Sequence, residues 1–492
     1  MRTRLFTLLS PLVYLASNAL SLLGVVLVTT GGVSWFFLLP TLLRGESQNP
    51  YLGLLWVADL AVFLIGLGLI PVGIHFRRRR LQKQGIVESK FPVLDFSSPE
   101  LKRVLGFVLV TTFANVLIAG QLTYKAVSYM ETDKFCGQVC HSVMSPELTA
   151  YEQSPHAHVA CVECHIGPGV VSFVKAKVNG SKQVLMLATH GYPTPIPAPV
   201  ENMRPAADTC EHCHTPGRMI GNRVLVHTEY AEDEGNTPAT TVLTMKIGGR
   251  TANGGTGIHG AHTAVGSKIE YVTTDAKRQT IPQVIYTAAD GTQTVYNATD
   301  SKVKPEELAR GERRRMDCMD CHNRPGHNFE LAGRALDSAM SSGTIATNLP
   351  FVRKQAMAAL NKPYADRETA AREIASSMGG YYQATYPQVA AQNKAQLDGA
   401  IAAVQAIYAH NIFPEMKITW GTYVNNLGHM DSPGCFRCHD GSHTSASGKT
   451  IASDCSTCHD MVAMQEKNPK ILMDLGMAPA AAAAPAAGGA GH

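Results

Sequence analysis

The sequence predicts a membrane-anchored chain: three N-terminal transmembrane helices, then a mostly helical and irregular outer part with a β-rich insert. Three observations predict it. All twelve cysteines fall into six pairs, each followed at once by histidine. The pairs are Cys136 and Cys140 before His141, Cys161 and Cys164 before His165, and Cys210 and Cys213 before His214. Then come Cys318 and Cys321 before His322, Cys435 and Cys438 before His439, and Cys455 and Cys458 before His459. Three long apolar runs precede the first pair, and an alternating, cysteine-free stretch separates the third pair from the fourth.

Five pairs read C-x-x-C-H and the first reads C-x-x-x-C-H. C-x-x-C-H is the attachment signal for c-type haem. On a helical turn, positions i, i+3 and i+4 share one face. Two thiols then bond the haem vinyls while the histidine nitrogen meets the iron. Histidine is 19 of 492 residues, so six pairs out of six followed by histidine is not chance. Structural zinc does not need histidine directly after the second cysteine, and a disulfide framework would space its pairs less regularly. The fold class is therefore a membrane-anchored multihaem cytochrome c with six covalently bound haems.

The apolar runs are 12–39, 51–74 and 105–126. Each is long enough to cross a bilayer, which takes about 20 residues. Lys and Arg set the orientation. The N-terminus carries Arg2 and Arg4, and the loop after the second run carries Arg77–Arg80, Lys83, Lys90, Lys102 and Arg103. The first loop has only Arg44, beside Glu46. The N-terminus and the 75–104 loop are thus expected in the cytoplasm. Everything after the third run falls in the periplasm of a bacterium, where haem is attached. A cleaved signal peptide is the alternative for the N-terminus, since Ala16-Ser17-Asn18-Ala19 is rich in small residues, but the apolar run continues to Leu39. A net charge of +4 argues for no nucleic-acid partner.

The expected organisation is a 1–130 anchor, a 131–220 haem region with motifs one to three, and a 221–300 β-rich insert. A 301–334 segment with motif four follows, then a 335–410 helical region, 411–475 with motifs five and six, and a disordered 476–492 tail. Tyr192–Pro205 is proline-rich and reads as extended. Strands are expected at Arg223–Tyr230, Thr240–Ile247, Lys268–Thr274, Gln283–Thr287 and Thr294–Asn297, with a hairpin turn at Asp290-Gly291. Residues 335–410 are Ala-, Gln- and Glu-rich at helical spacing.

An electron carrier ligates its irons on both sides. The motif histidines His141, His165, His214, His322, His439 and His459 supply one side. For the other we take histidines near motifs or glycine turns: His156, His327, His429, His443, and His262 with His259 from the insert. Met144, three residues past His141, is a thioether candidate for the first iron or else a core methionine.

From Phe135 to His214, about a sixth of the chain, the sequence resembles the NapC/NirT/NrfH family of membrane-anchored multihaem quinol dehydrogenases. The residues that carry the resemblance are FCGQVCHSVM, SPHAHVACVECHIGPG, VKAKVNGSKQV and ADTCEHCH behind a membrane helix. The resemblance implies Met144 and His156 as iron ligands, and a quinol site near the first haem formed by a lysine and an acid. Lys175 and Lys177 are present, but Gln183 stands where the acid is expected. The first motif carries one extra residue, and Met144 lies one position further from it than the family pattern has. The longer architecture, with PEMKITWGTYVNNLGHMDSPGCFRCHDGSH near the end, is similar to the ImcH-type inner-membrane cytochromes of metal-reducing bacteria.

The function this implies is an inner-membrane quinol:cytochrome c oxidoreductase. It takes electrons from menaquinol or ubiquinol and passes them through six haems to periplasmic c-type cytochromes, in anaerobic or extracellular respiration. The alternatives are a terminal reductase of a small oxyanion, which needs an iron with an open position, and a relay or scaffold subunit of a larger respiratory complex. The partners implied are the quinone pool, the lipid bilayer and periplasmic cytochromes, with a homo-oligomer as a further option. Asp59, inside the second apolar run, either binds a quinol proton or pairs with Asn18 or Asn115.

Overall fold

The structure is a computed structural model. It describes residues 18–44, 52–85, 97, 99–139, 141–167, 169–200, 203–218, 221–251 and 254–477. The starts of the first two apolar runs, Arg2, Arg4, Lys90 and the tail beyond Met477 lie outside the described residues. The chain divides into two compact units: Met1–Val139 with Cys161–Leu185, and Cys140–Ala160 with Met186–His492. The division runs through the 131–220 stretch that the sequence treats as one region.

In the first unit three long helices occupy the apolar runs: α1 (Ala19–Arg44), α2 (Leu52–Lys83) and α3 (Pro99–Met130). Among the described residues, Ala58–Lys83 is long and apolar enough to cross a membrane, and Ala19–Ser34 is a shorter apolar helix. Apolar side chains point outward: Leu64 is 57% exposed, Leu109 69% and Leu122 64%. In water such faces would be costly; against lipid they are matched. Between α1 and α2, small residues permit close approach. A Cβ on Gly66 would stand 2.7 Å from the Val28 nitrogen, and one on Gly24 2.8 Å from the Gly66 carbonyl. Polar groups inside the unit pair locally. Asn18 bonds Ser21, and the Ser21 hydroxyl donates to the Ile70 carbonyl. Asp59 hydrogen-bonds Ser34, not Asn18 or Asn115.

The second unit combines helices with three antiparallel sheets. It opens on α4 (His141–Glu152); α5 (Val170–Ala188) begins in the first unit and ends here. The described residues of the proline-rich stretch, 192–200 and 203–205, have no regular structure, and Tyr192, Ile196 and Ala198 pack on a cluster of Val143, Phe413, Ile418 and Tyr423. The Tyr423 hydroxyl fastens it by donating to the Ile196 carbonyl at 2.9 Å.

Within 221–300 the strands are β1 (Arg223–Tyr230), β2 (Pro238–Met245), β3 (Gly249–Thr251), β4 (Gly254–Thr256), β5 (Lys268–Thr273), β6 (Gln283–Thr287) and β7 (Gln293–Ala298). A short helix, α6 (Gly257–Thr263), follows β4. The β6–β7 turn uses Gly291 at φ +85°, and the Asp290 carboxylate accepts from Thr292 N–H. The insert is not self-contained. Its sheets run β1-β2-β10 and β8-β5-β6-β7-β9, and the edge strands β8 (Glu312–Arg315), β9 (His443–Ser445) and β10 (His459–Glu466) come from around the last three motifs. Sequence alternation marked the interior strands but not these short or charged edges.

The haem-free helical region holds α7 (Ala332–Ser341), α8 (Val352–Asn361), α9 (Arg367–Thr385) and α10 (Lys394–Asn411). Leu336, Leu349, Val352, Ile374, Tyr382 and Val404 are fully buried in its core. Asp366 caps α9 by accepting from Thr369 N–H at 2.7 Å. Tyr230 enters the same core from β1, and its N–H reaches the buried Asp337 carboxylate, which Arg353 neutralises at 2.8 Å. Ile374→Ala opens a cavity in this core and is expected to lower stability by about 2–5 kcal/mol. Chemical denaturation followed by far-UV circular dichroism checks this.

Candidate functional site

The cysteine–histidine motifs sit on tight turns. In the third, fourth and fifth, the histidine N–H donates to the first cysteine carbonyl: His214 to Cys210 at 2.7 Å, His322 to Cys318 at 2.8 Å and His439 to Cys435 at 3.0 Å. That bond closes a turn with both thiols and the imidazole on one side. The second motif is a helical turn, Cys161–His165. The sixth is a 3-10 turn, Cys455–Thr457, after which His459 opens β10. Around the first motif, Phe135–Val139 winds as a π-helical turn. A wider i→i+5 ring absorbs one extra residue, which is what C-x-x-x-C-H needs. Cys140 and the His141 side chain lie outside the described residues.

The sequence treats the attachment thiols as equivalent, and the structure separates them by environment. None of the described cysteines is joined in a disulfide. Cys164, one helical turn past Cys161, is half-buried as Cys161 is. Cys213 is exposed while Cys210 is half-buried, although its N–H donates to the Cys210 carbonyl at 3.2 Å. The third motif therefore presents one thiol to solvent and one to the protein. Cys455 is likewise exposed, and Cys438 is buried. The difference follows from packing, since the same local turn lies at the surface in one motif and beneath a sheet in another.

Four motif histidines face a second imidazole from elsewhere in the second unit. Ring centroids are 6.0 Å apart for His156–His214, 6.2 Å for His259–His322, 5.7 Å for His262–His439 and 6.2 Å for His429–His459. Metal–nitrogen bonds of about 2 Å on opposite sides of one metal hold imidazole centroids about 6 Å apart. A stacked contact in the same region is closer: His429 lies 4.3 Å from Phe436. The four pairs therefore fit an iron between two imidazoles, with two thiols beside it. Hydrogen bonding supports this. Nδ1 meets a backbone carbonyl in His156 (Pro325, 3.0 Å), His262 (Ile258, 2.8 Å) and His439 (Ala452, 2.6 Å). Such a bond fixes the tautomer and turns Nε2 toward a metal. Burial also pushes the His262 pKa down, which keeps the ring neutral.

The other expected ligands fall differently. His327 lies against α4, its Nδ1 on the Glu147 carbonyl at 2.9 Å. Met144 is half-buried on α4. His443 corrects the expectation placed on it. It is 1% exposed, with Nδ1 on Asp440 at 2.9 Å and Nε2 on the Ile281 carbonyl at 2.8 Å, so neither nitrogen is left for iron.

The motifs of the second unit form a row. The Cys210 and Cys318 thiols hydrogen-bond, joining the third motif to the fourth. Burial pushes the Cys321 thiol up to about 11, and the neighbouring Cys435 adds to it. Burial likewise pushes Cys438 up to about 12, with Cys321 contributing, and Cys435 in turn acts on Cys458 of the sixth motif. The fourth and fifth motifs are locked through their variable residues. The buried Arg437 guanidinium donates to the Asp320 carbonyl at 2.6 Å and the Arg278 carbonyl at 2.9 Å. The Asp320 carboxylate accepts from the Tyr271 hydroxyl at 2.5 Å and from Asp317 N–H at 2.8 Å. Sequence reasoning passed over both residues because it treated the positions between the cysteines as fillers.

In the first unit the Cys136 and Cys161 thiols hydrogen-bond, joining the first two motifs. Asp133 stands beside them, its carboxylate accepting from Cys161 N–H at 2.7 Å. Lys177 acts electrostatically on Cys136, and its ammonium sits 4.9 Å over the Phe173 ring. Lys175, two residues away on α5, faces another side. Gln183 is about 9 Å further along the axis. The acid beside these two motifs therefore precedes the first of them, in the run E-T-D-K-F-C, and does not follow the second.

Residues 98–220 match the NapC/NirT cytochrome c family, N-terminal region. Over 455 residues, 92% of this chain and 89% of the relative, the sequence is 39% identical to the cytochrome c-type protein ImcH of Geobacter sulfurreducens. No solved structure matches.

Two substitutions separate structural from ligating roles. His443→Ala leaves the buried Ile281 carbonyl unpaired, so it is expected to cost about 1–3 kcal/mol while every haem keeps its wild-type spin state. Arg437→Ala is expected to cost about 3 kcal/mol and to broaden the visible spectrum as the fourth and fifth motifs loosen. Thermal melting and optical spectra of the oxidised protein check both.

Proposed function

The chain belongs to the NapC/NirT-like multihaem cytochromes c, and on that premise we propose that it is an inner-membrane quinol dehydrogenase. It oxidises membrane menaquinol or ubiquinol and passes the electrons to periplasmic c-type cytochromes in anaerobic or extracellular respiration. In this reading α1–α3 anchor the chain in the membrane, and the six motifs hold six haems in the periplasm. The observation that carries it is the set of four imidazole pairs, each joining a motif histidine to one remote in sequence.

Each haem, when bound, supplies a one-electron iron couple whose potential follows from axial ligands and burial. The residues of the chain do the rest. His156 and His429 complete the third and sixth sites. His327, whose Nδ1 meets the Glu147 carbonyl, and Met144 remain further ligand candidates. The row of motifs three to six keeps neighbouring sites close.

Quinol oxidation releases two electrons and two protons. Asp133 accepts the two protons one after the other at its Oδ atoms, passing the first to periplasmic water before it takes the second. The Lys177 ammonium binds a quinol hydroxyl and favours its ionisation, held in place by the Phe173 ring. Lys175 and Gln183 line the approach along α5 without touching the reacting hydroxyl.

The test is reduction of the purified protein by a reduced quinone analogue, followed at the haem absorption band. Rapid reduction is expected for the wild type and for Lys182→Ala. Asp133→Asn and Lys177→Ala should each slow it on the order of 100-fold, the usual scale of a lost general acid–base group, while dithionite still reduces every haem. Wild-type rates in both variants would sink the site assignment. A wild-type protein that quinol cannot reduce, but a soluble cytochrome can, would sink the dehydrogenase.

A further inference from the structure

The β-rich insert binds no haem through cysteines, yet it reaches three motifs. β2 ends against the sixth: Lys246 N–H donates to the Cys458 carbonyl at 2.8 Å, and its ammonium to the Ser456 carbonyl at 2.7 Å. The chain then doubles back through β3 and β4 into α6, the seven residues GIHGAHT. His259 and His262 lie three apart on α6 and therefore share a face. They do not share a partner. His259 faces His322 of the fourth motif, and His262 faces His439 of the fifth.

We propose that α6 is a shared ligand bridge: it gives the distal imidazole to the fourth haem iron through His259 and to the fifth through His262. The inference rests on the multihaem reading and deepens it. Its warrant is that both spacings match an iron between two rings, on two motifs that the Arg437–Asp320 contact already holds side by side. The helix has little room to move. Ile258 N–H donates to the Lys246 carbonyl and His259 N–H to the Ile247 carbonyl, at 2.8 and 2.9 Å. Gly260 packs so closely on the preceding ribbon that a Cβ there would lie 2.4 Å from the Gly255 carbonyl carbon. One rigid element thus sets the ligation of two neighbouring irons.

The two sites differ in a measurable way. The rings of His259 and His322 are 18° from parallel, those of His262 and His439 are 64° apart. Near-parallel imidazole planes give a rhombic low-spin EPR signal; crossed planes give a strongly axial one. The experiment is EPR of the oxidised, purified full-length protein, with haem content measured by the pyridine assay. His259→Ala should turn one haem high-spin and remove a rhombic signal. His262→Ala should turn a different haem high-spin and remove an axial one. His259→Met and His262→Met keep a ligand and the local fold, and should each raise the potential of one haem. Gly260→Ala should disturb both signals in one protein.

Alanine variants with full haem content and no new high-spin haem overturn the bridge, as does finding that both histidines act on the same haem. Protein that carries no haem at all overturns the multihaem reading itself, a result that the pyridine assay separates from the others.

Discussion

A metal that binds two imidazoles on opposite sides requires two ring centroids about 6 Å apart, each ring turning a nitrogen toward the metal. No short stretch of chain can satisfy that for four sites in one unit. The ring beside the attachment cysteines comes with the motif, but the opposite ring has to be delivered by tertiary structure. Much of this fold does that delivery. The turn before the second motif brings His156 to the third. The loop before the fifth brings His429 to the sixth. Two antiparallel sheets and a double-back through β3 and β4 place α6 against the fourth and fifth.

That division explains what was legible in the sequence. The motifs were plain because attachment chemistry fixes residue type and spacing locally. Strands β1, β5, β6 and β7 were plain because each is a short run rich in β-branched and aromatic residues. The ligand pairing was not legible. His156 precedes the second motif by five residues but faces the third. His443 follows the fifth motif by four residues, yet it is a core histidine held by Asp440 and the Ile281 carbonyl. Nearness in sequence carries no information when both partners lie on turns whose direction long-range packing decides. Burial of the thiols was hidden for the same reason: nothing in CEHCH and CFRCH says that Cys213 is exposed and Cys438 buried.

The same limit hid the polar residues that join sites. Asp320 and Arg437 occupy the variable positions of their motifs, and only the structure shows one reaching the other. Asp133, the acid beside the first two motifs, lies before the first of them, whereas the sequence pointed to α5, where Gln183 stands. The edge strands β8, β9 and β10 gave no alternation: one is a charged run, one is three residues long, and one begins at a motif histidine.

Those edges carry a consequence for assembly. β2 and β7 are laid down early by a chain that enters the periplasm from its N-terminal side, but their partners β10 and β9 arrive only with residues 443–466. Closing contacts over such separations is slow, because loop entropy is lost before the pairing compensates it. Until then both strands expose unpaired edges, open to mispairing with another copy. Each closing strand follows closely on the cysteines of a motif in the chain, so neither sheet is complete until the motif beside its last strand has emerged.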